Sequence, residues 1–324
     1  MANRGFSILQ FFRRITAFRE FALILVLIAM GIGMSFASPV FLDIGNLQAI
    51  LLALSVEATI AVGMMLLLIS GGLDLSVGSI LGFTGVVTGL ALQAKLPIIL
   101  SIVLGLVAAL CVGLINGLLV AKMKINPFIT TLGMSITIRG LLLVIAHGRA
   151  VLNLPAAFTV LGQGSIFGFQ YPIFVMLAVV IVGDILLRNS RFFRQNYYIG
   201  GNEKAARLSG INVDFVKIMN YCIVALLAGV AGLLTTARFG TSSVTIGTGV
   251  ELRVITATII GGASLNGGEG SAFGAFLGAL FMGALANSLN LLGVDSYWQN
   301  FITGLILIIA VLFDVINERR KNRQ

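Results

Sequence analysis

Ten apolar runs, each near the length of a bilayer crossing, follow one another along this chain with short polar interruptions between them. A hydrocarbon core about 30 Å thick takes about 20 helical residues. Runs of that order lie at 21 to 37, 47 to 69, 75 to 93, 96 to 121, 125 to 146, 171 to 187, 218 to 237, 252 to 265, 271 to 292 and 298 to 316. Inside lipid every backbone polar group must be satisfied by the protein itself, so such a chain folds as packed helices. The expected fold class is an all-α polytopic membrane protein with about ten transmembrane helices. The eighth and ninth runs are interrupted by glycine-rich sequence, and eight spans with re-entrant segments is the alternative count. Charged residues make up 10% of the chain, where a soluble domain carries about 25%.

A net charge of +9 raises nucleic acid as a partner, but the placement of the charge argues against one. Of the 21 Lys and Arg, 16 fall in four blocks: Arg4 to Arg19, Lys122 with Lys124, Arg188 to Lys217, and Arg319 to Arg323. Such blocks mark cytoplasmic loops under the positive-inside rule. With a cytoplasmic N-terminus every even-numbered span ends in the cytoplasm, and the blocks do follow spans four, six and ten. The loops at 38 to 46 and 147 to 170 then lie outside, with only Arg149 between them. Both termini are therefore expected in the cytoplasm, residues 1–20 and 317–324 as short cytoplasmic segments and 21–316 as one membrane domain. The basic start followed by an apolar run resembles a signal peptide, but the run is too long for one and reads as an uncleaved first helix.

Polarity at membrane depth is the next constraint. In "SGGLDLSVGS", residues 70 to 79, Gly71 and Gly72 disfavour continued helix, and Asp74, Ser76 and Ser79 can satisfy the backbone that is freed. Asp74 is placed to cap a second half-helix through backbone donors two or three residues on. Irregular backbone is tolerated at this depth only when packed in protein or lining a wet cavity; a plain turn at the cytoplasmic end of the second span is the other reading. "GGASLNGGEGS" at 261 to 271 opens on the same glycine pair, as a related half of an internal repeat would. Gly274, Gly278 and Gly283 form a small-residue stripe of the kind that lets helices approach closely in lipid.

Glu57, Arg139 and Asp184 stand within spans, with Glu251 and Arg253 at the edge of the eighth. An intramembrane charge costs at least ~2.5 to 3.5 kcal/mol on insertion scales, so each needs a partner. Arg139 can bond substrate hydroxyls or pair with a carboxylate between helices. Asp184 is set for Arg188 at i,i+4. His147 reads as a loop residue, Cys111 and Cys222 as packing groups, and no metal-site spacing occurs.

The largest inner loop, 188 to 217, contains "YIGGNEKAARLSGINV" at 198 to 213. Asn202 can act as N-cap, Glu203 suits the positive first turn, Ala205 and Ala206 favour helix, and Gly210 can end it in a left-handed conformation. A helix this short is not stable alone. It docks either on its own protein or in a groove of a cytoplasmic subunit.

At these residues the chain resembles the permease subunits of bacterial ABC sugar importers, the ribose, arabinose and xylose group. "SGGLDLSVGS", "GLINGLLVAK" at 113 to 122, "PFITTLGM" at 127 to 134 with "RG" at 139 to 140, "GGNEKAARLSGINV" at 200 to 213, "GGASLNGGEGS" and "NSLNLLGVDSYWQ" at 287 to 299 carry the resemblance nearly end to end. It implies a type II importer fold, a dimer with a second permease subunit (a copy or a related chain), an ATP-binding subunit holding ATP and Mg inside, and a periplasmic sugar-binding protein outside. The family's coupling helix falls on Gly200, Gly201, Asn202, Glu203, Lys204, Ala205, Ala206, Arg207, Leu208, Ser209 and Gly210. Translocation-path candidates are Gly71, Gly72, Asp74, Ser76 and Ser79, with Arg139, Asn287 and Asn290. The outer segment "AHGRAVLNLPAAF" at 146 to 158 departs from the pattern and leaves the sugar open. The expected activity is ATP-driven sugar import across the bacterial inner membrane. The rival is an ion-coupled carrier using Glu57 or Asp74. No G-x-x-x-x-G-K-[ST] loop and no nucleophile–base pair occur, so neither ATP hydrolysis nor other catalysis is expected of this chain.

Overall fold

The computed structural model describes residues 19–321. Most of the segment 1–20, and 322–324 of the expected tail, lie outside the described residues. The described chain forms α1 (Arg19–Ala37), α2 (Ile44–Ile69), α3 (Val77–Gln93), α4 (Ile98–Ala121), α5 (Pro127–Ile145), α6 (Ala156–Gln163), β1 (Ser165–Ile166), β2 (Phe169–Gln170), α7 (Tyr171–Asn189), α8 (Arg191–Gly201), α9 (Glu203–Leu208), α10 (Val213–Phe239), α11 (Val250–Ile260), α12 (Ala272–Leu291) and α13 (Ser296–Lys321). A helix lies along each expected span, the one at 252 to 265 reaching only to Ile260. Among the described residues eight helices are long and apolar enough to cross a bilayer; α3 is shorter, and α11 has only 11 residues.

The helices run between two faces. One holds α8 and α9, the start of α1 and the glycine-rich breaks: Ser271 Oγ donates to Glu20 Oε1 at 2.7 Å, and the Gly268 amide to the Ile69 carbonyl at 2.8 Å. The other holds the cap 147–170, folded into α6 and the antiparallel β1–β2 hairpin. Phe158 of α6 is fully buried, which makes this segment an ordered cap. The basic blocks at 122–124 and 188–217 meet on the α9 face, where Lys124 and Arg207 share Asp214.

The eighth crossing is not a simple helix. α10 ends at Gly240 with φ 65°, and Ser242 then pairs antiparallel with Val151 of the cap. The chain runs back beside α3 in non-helical form until α11 starts at Val250. The eighth crossing is thus half irregular backbone, 241–249, and half short helix, and the span expected at 252 to 265 covers only that helix and the turn after it. It stops at Ile260 because Gly261 and Gly262, the latter at φ 98°, turn the chain away.

α2 is the central helix, and every residue from Ala58 to Ile69 is buried. Small residues set the packing around it. A side chain at Gly278 of α12 would overlap the Ala257 carbonyl of α11, and one at Gly283 would press on Leu54 of α2. Without a hydrophobic force between helices in lipid, such close backbone approach supplies the van der Waals contact that holds them.

Candidate functional site

α9 forms as its sequence dictates. The Asn202 side chain accepts from the Ala205 amide at 3.0 Å, Glu203 sits in the first turn, and Gly210 takes φ 83°. Two turns of helix need outside support, and one face provides it. Ala206 is buried with Ile199, Val213 and Val216 in a small apolar cluster.

Ion pairs complete the docking. Glu203 meets Arg207 at 2.9 Å and Lys217 at 2.6 Å; Asp214 meets Arg207 at 2.5 Å and Lys124 at 2.8 Å. Burial pushes the Glu203 carboxyl upward, but the Lys217 and Arg207 hydrogen bonds outweigh it and hold the group below its usual range. The Asp214 and Glu203 carboxylates raise the Arg207 guanidinium in turn. Solvent screens these pairs, so their value is geometric: they tie α9 to α10 and to the α4–α5 turn. The opposite stripe of the segment, Gly201, Lys204, Ala205 and Leu208, is exposed, with Leu208 at 90%.

α8 connects α9 to the interior. No helix was expected at 191 to 201, where two terminal glycines obscure the spacing of Phe192, Phe193, Asn196 and Ile199 that marks its inner face. Asn220 donates to Asn196 Oδ1 at 2.7 Å and to Ser70 Oγ at 3.1 Å; Tyr197 donates to the Gly270 carbonyl at 2.8 Å. Gly200 lies so close to Ile69 and Gly268 that a side chain there would overlap their backbones. Both glycine-rich breaks and the root of α9 therefore meet at one junction.

Opposite this junction a cleft of about 390 Å³ opens between α2, α11, α12 and α13. Asn46 and Asn287 exchange amide hydrogen bonds of 3.1 and 2.8 Å near its mouth, and Gln299 donates to Asn290 Oδ1 at 2.7 Å. Deeper in the cleft, Arg253 Nε donates to Glu57 Oε1 at 2.5 Å. Glu57 lies ~20 Å down α2 from Ile44 at the usual helical rise, and the fully buried half of α2 lies beyond it.

An exposed two-turn helix on one face, a junction of broken helices beneath it and a polar cleft on the other side are carried by helices long and apolar enough to cross a membrane. Residues 46–311 match the family described as "Branched-chain amino acid transport system / permease component". The chain belongs to this permease family. It is 37% identical over 318 residues to the ribose import permease protein RbsC of Escherichia coli K12, covering 97% of this chain and 99% of that protein. It is 40% identical over 282 residues to RbsC of Bacillus subtilis, covering 86% and 88%. Its identity to the L-arabinose transport system permease protein AraH of Escherichia coli K12 is 36% over 302 residues, covering 93% and 92%. No solved structure matches it. The chain is a membrane permease subunit of an ABC importer and not itself an enzyme.

The permease distributes the path candidates over three places. Gly71 and Gly72 belong to the junction. Asp74 and Ser76 are fully buried: Asp74 Oδ1 accepts from the Ser76 amide at 2.7 Å and hydroxyl at 2.6 Å, and Asn116 donates to Ser76 Oγ at 2.9 Å. Asp74 thus fixes the entry into α3. The stretch is a turn at the end of α2 and also a packed break, so the two readings of the sequence describe one object. Ser79 donates to the Ser135 carbonyl of α5 at 2.9 Å.

Arg139 Nη1 donates to the carbonyls of Val244 at 3.0 Å and Ile246 at 2.9 Å. It satisfies the irregular half of the eighth crossing, a partner of a kind not anticipated from sequence. Asn287 and Asn290 line the cleft. Its Glu57–Arg253 pair joins residues 196 apart in sequence; both charges called for partners, but nothing in one sequence matched them.

Proposed function

We propose that this permease translocates a monosaccharide of the pentose or hexose type, delivered by a periplasmic binding protein, by ATP-driven alternating access. A single observation carries the reading. α9 is fastened to its own protein on one face and presents a bare stripe, Gly201, Lys204, Ala205 and Leu208, on the other. A carrier powered within its own fold has no use for a rigid exposed handle rooted at two broken helices.

The partner on that stripe is an ABC ATP-binding subunit, which holds ATP and Mg; a second permease subunit completes the transporter. Residues 188–217 act as the coupling loop of a single membrane domain. The α9 face lies in the cytoplasm and the cap face in the periplasm, so both termini are cytoplasmic in the bacterial inner membrane. The sugar assignment rests on the ribose and arabinose permeases among the relatives.

Proteoliposomes holding the permease, its ATP-binding subunit and the neighbouring-encoded binding protein test the substrate class. Uptake of at least one of ribose, arabinose, xylose or a hexose is expected. Uptake of a branched-chain amino acid with no sugar uptake would overturn the reading.

A further inference from the structure

We propose that the cleft between α2, α11, α12 and α13 is a transient binding subsite for a neutral polyol, in which Glu57, Arg253, Asn300 and Thr303 hydrogen-bond the hydroxyls of the passing sugar. The inference deepens the import reading and rests on it.

Position is the first argument. The cleft lies in the half of the molecule away from α9 and runs along α2 from Ala49 to Glu57, about mid-membrane. Ala58 to Ile69 of α2 close the way beyond it. A ligand entering from the cap face therefore stops at the Glu57–Arg253 pair. The volume, about 390 Å³, lies in the ordinary range of small-ligand pockets.

Chemistry is the second. The lining combines a carboxylate and a guanidinium with the amides of Asn287, Asn290, Gln299 and Asn300 and the hydroxyl of Thr303. That inventory offers many donors and acceptors and, because Glu57 and Arg253 cancel, no net charge. A cation finds its carboxylate already engaged at 2.5 Å. A polyol does not have to break the pair: the contact uses only Nε of Arg253, and a guanidinium has further N–H donors in a fixed fork.

Preorganisation is the third. The Asn46–Asn287 and Gln299–Asn290 bonds fix the amides near the mouth without a ligand. Loose binding suits this place, because a subsite on a transport path must also release its occupant. The cleft wall beside the polar groups, Ala49, Ala53 and Gly283, is small and leaves room for a ring.

The test uses the complete importer in proteoliposomes and reads sugar moved per ATP hydrolysed. An Asn300→Ala, Thr303→Ala double variant removes two hydroxyl partners and no hydrogen bond seen in the fold. It is expected to lose about five-fold or more in this ratio, the equivalent of roughly one hydrogen bond. Stimulation of ATP hydrolysis by the binding protein should stay intact. An unchanged ratio would overturn the subsite.

Glu57→Arg combined with Arg253→Glu restores an ion pair but exchanges its donors and acceptors. A lowered ratio in a folded complex supports hydroxyl recognition, whereas a wild-type ratio would reduce the pair to a tie between helices and overturn its role. If the wild-type complex moves no sugar, the import reading itself has failed, and the subsite fails with it.

Discussion

The carbonyl of Ile69, at the end of α2, accepts the amide of Gly268 at 2.8 Å, and Gly200 of α8 packs over the same atoms. Three segments distant in sequence thus share one contact. It joins the root of α9 to both broken helices, and α2 and α12, which leave this junction, form walls of the cleft. Motion imposed on α9 has a short, rigid route to the cleft.

Gly200→Val is the direct probe of that junction. The added side chain collides with backbone rather than with a movable group, so a loss of about 1 to 3 kcal/mol is expected for overpacking. Gly201→Val has open space around it and should leave stability unchanged. Thermal unfolding of the purified protein in detergent distinguishes the two; equal melting temperatures would contradict the junction.

Substitutions on α9 should divide by face. Leu208→Asp and Gly201→Trp lie on the bare stripe, so the permease should stay folded while capture of the ATP-binding subunit and sugar uptake are lost. Ala206→Trp strikes the buried cluster instead and should loosen α9 itself. Co-purification with the ATP-binding subunit, alongside protease cleavage of the 188–217 loop, reads both effects. Normal capture by Leu208→Asp and Gly201→Trp would exclude the stripe as the contact.

Asp74→Ala leaves the Ser76 amide without its buried acceptor. An unsatisfied buried donor costs about 1 to 3 kcal/mol, and uptake should fall through disorder at the start of α3. Asp74→Asn keeps an acceptor oxygen and should cost less. Melting temperatures and uptake rates in the ordered series wild type, Asn, Ala would bear this out; wild-type uptake by Asp74→Ala would confine the residue to an inconsequential turn.

Arg139→Met strips the Val244 and Ile246 carbonyls of their partner. Polar backbone at membrane depth has no water to replace it, so the irregular half of the eighth crossing should open. Protease or thiol-probe access within 241–249 should rise. Arg139→Lys, with a single ammonium in place of the fork, should restore only part of the protection, and unchanged access in Arg139→Met would remove the arginine from this role.

Much of this architecture was legible from the chain. The helices at the apolar runs, the cap on α9 at Asn202, the left-handed Gly210 and the Asp74 bond to Ser76 follow from hydrophobic length and local chemistry, which a single sequence carries. What stayed hidden depends on distant partners. Arg139 and the Val244 carbonyl, or Glu57 and Arg253, become neighbours only when helices pack, and periodicity says nothing about which pairs meet. The non-helical half of the eighth crossing was missed for a related reason: its backbone is satisfied by another helix, so no local signal replaces the helix that is absent. α8 was within reach, since Phe192, Phe193, Asn196 and Ile199 have the right spacing, but the closing glycines and the basic residues concealed it.

Accumulation of radiolabelled sugar in proteoliposomes is the most direct measurement of the central claim, that α9 is a handle driven by a separate ATPase. With the binding protein present, the permease with its ATP-binding subunit and ATP should concentrate sugar even when an uncoupler has removed all ion gradients, and the permease without that subunit should not. Accumulation by the permease alone, driven by a proton or sodium gradient, would contradict the account.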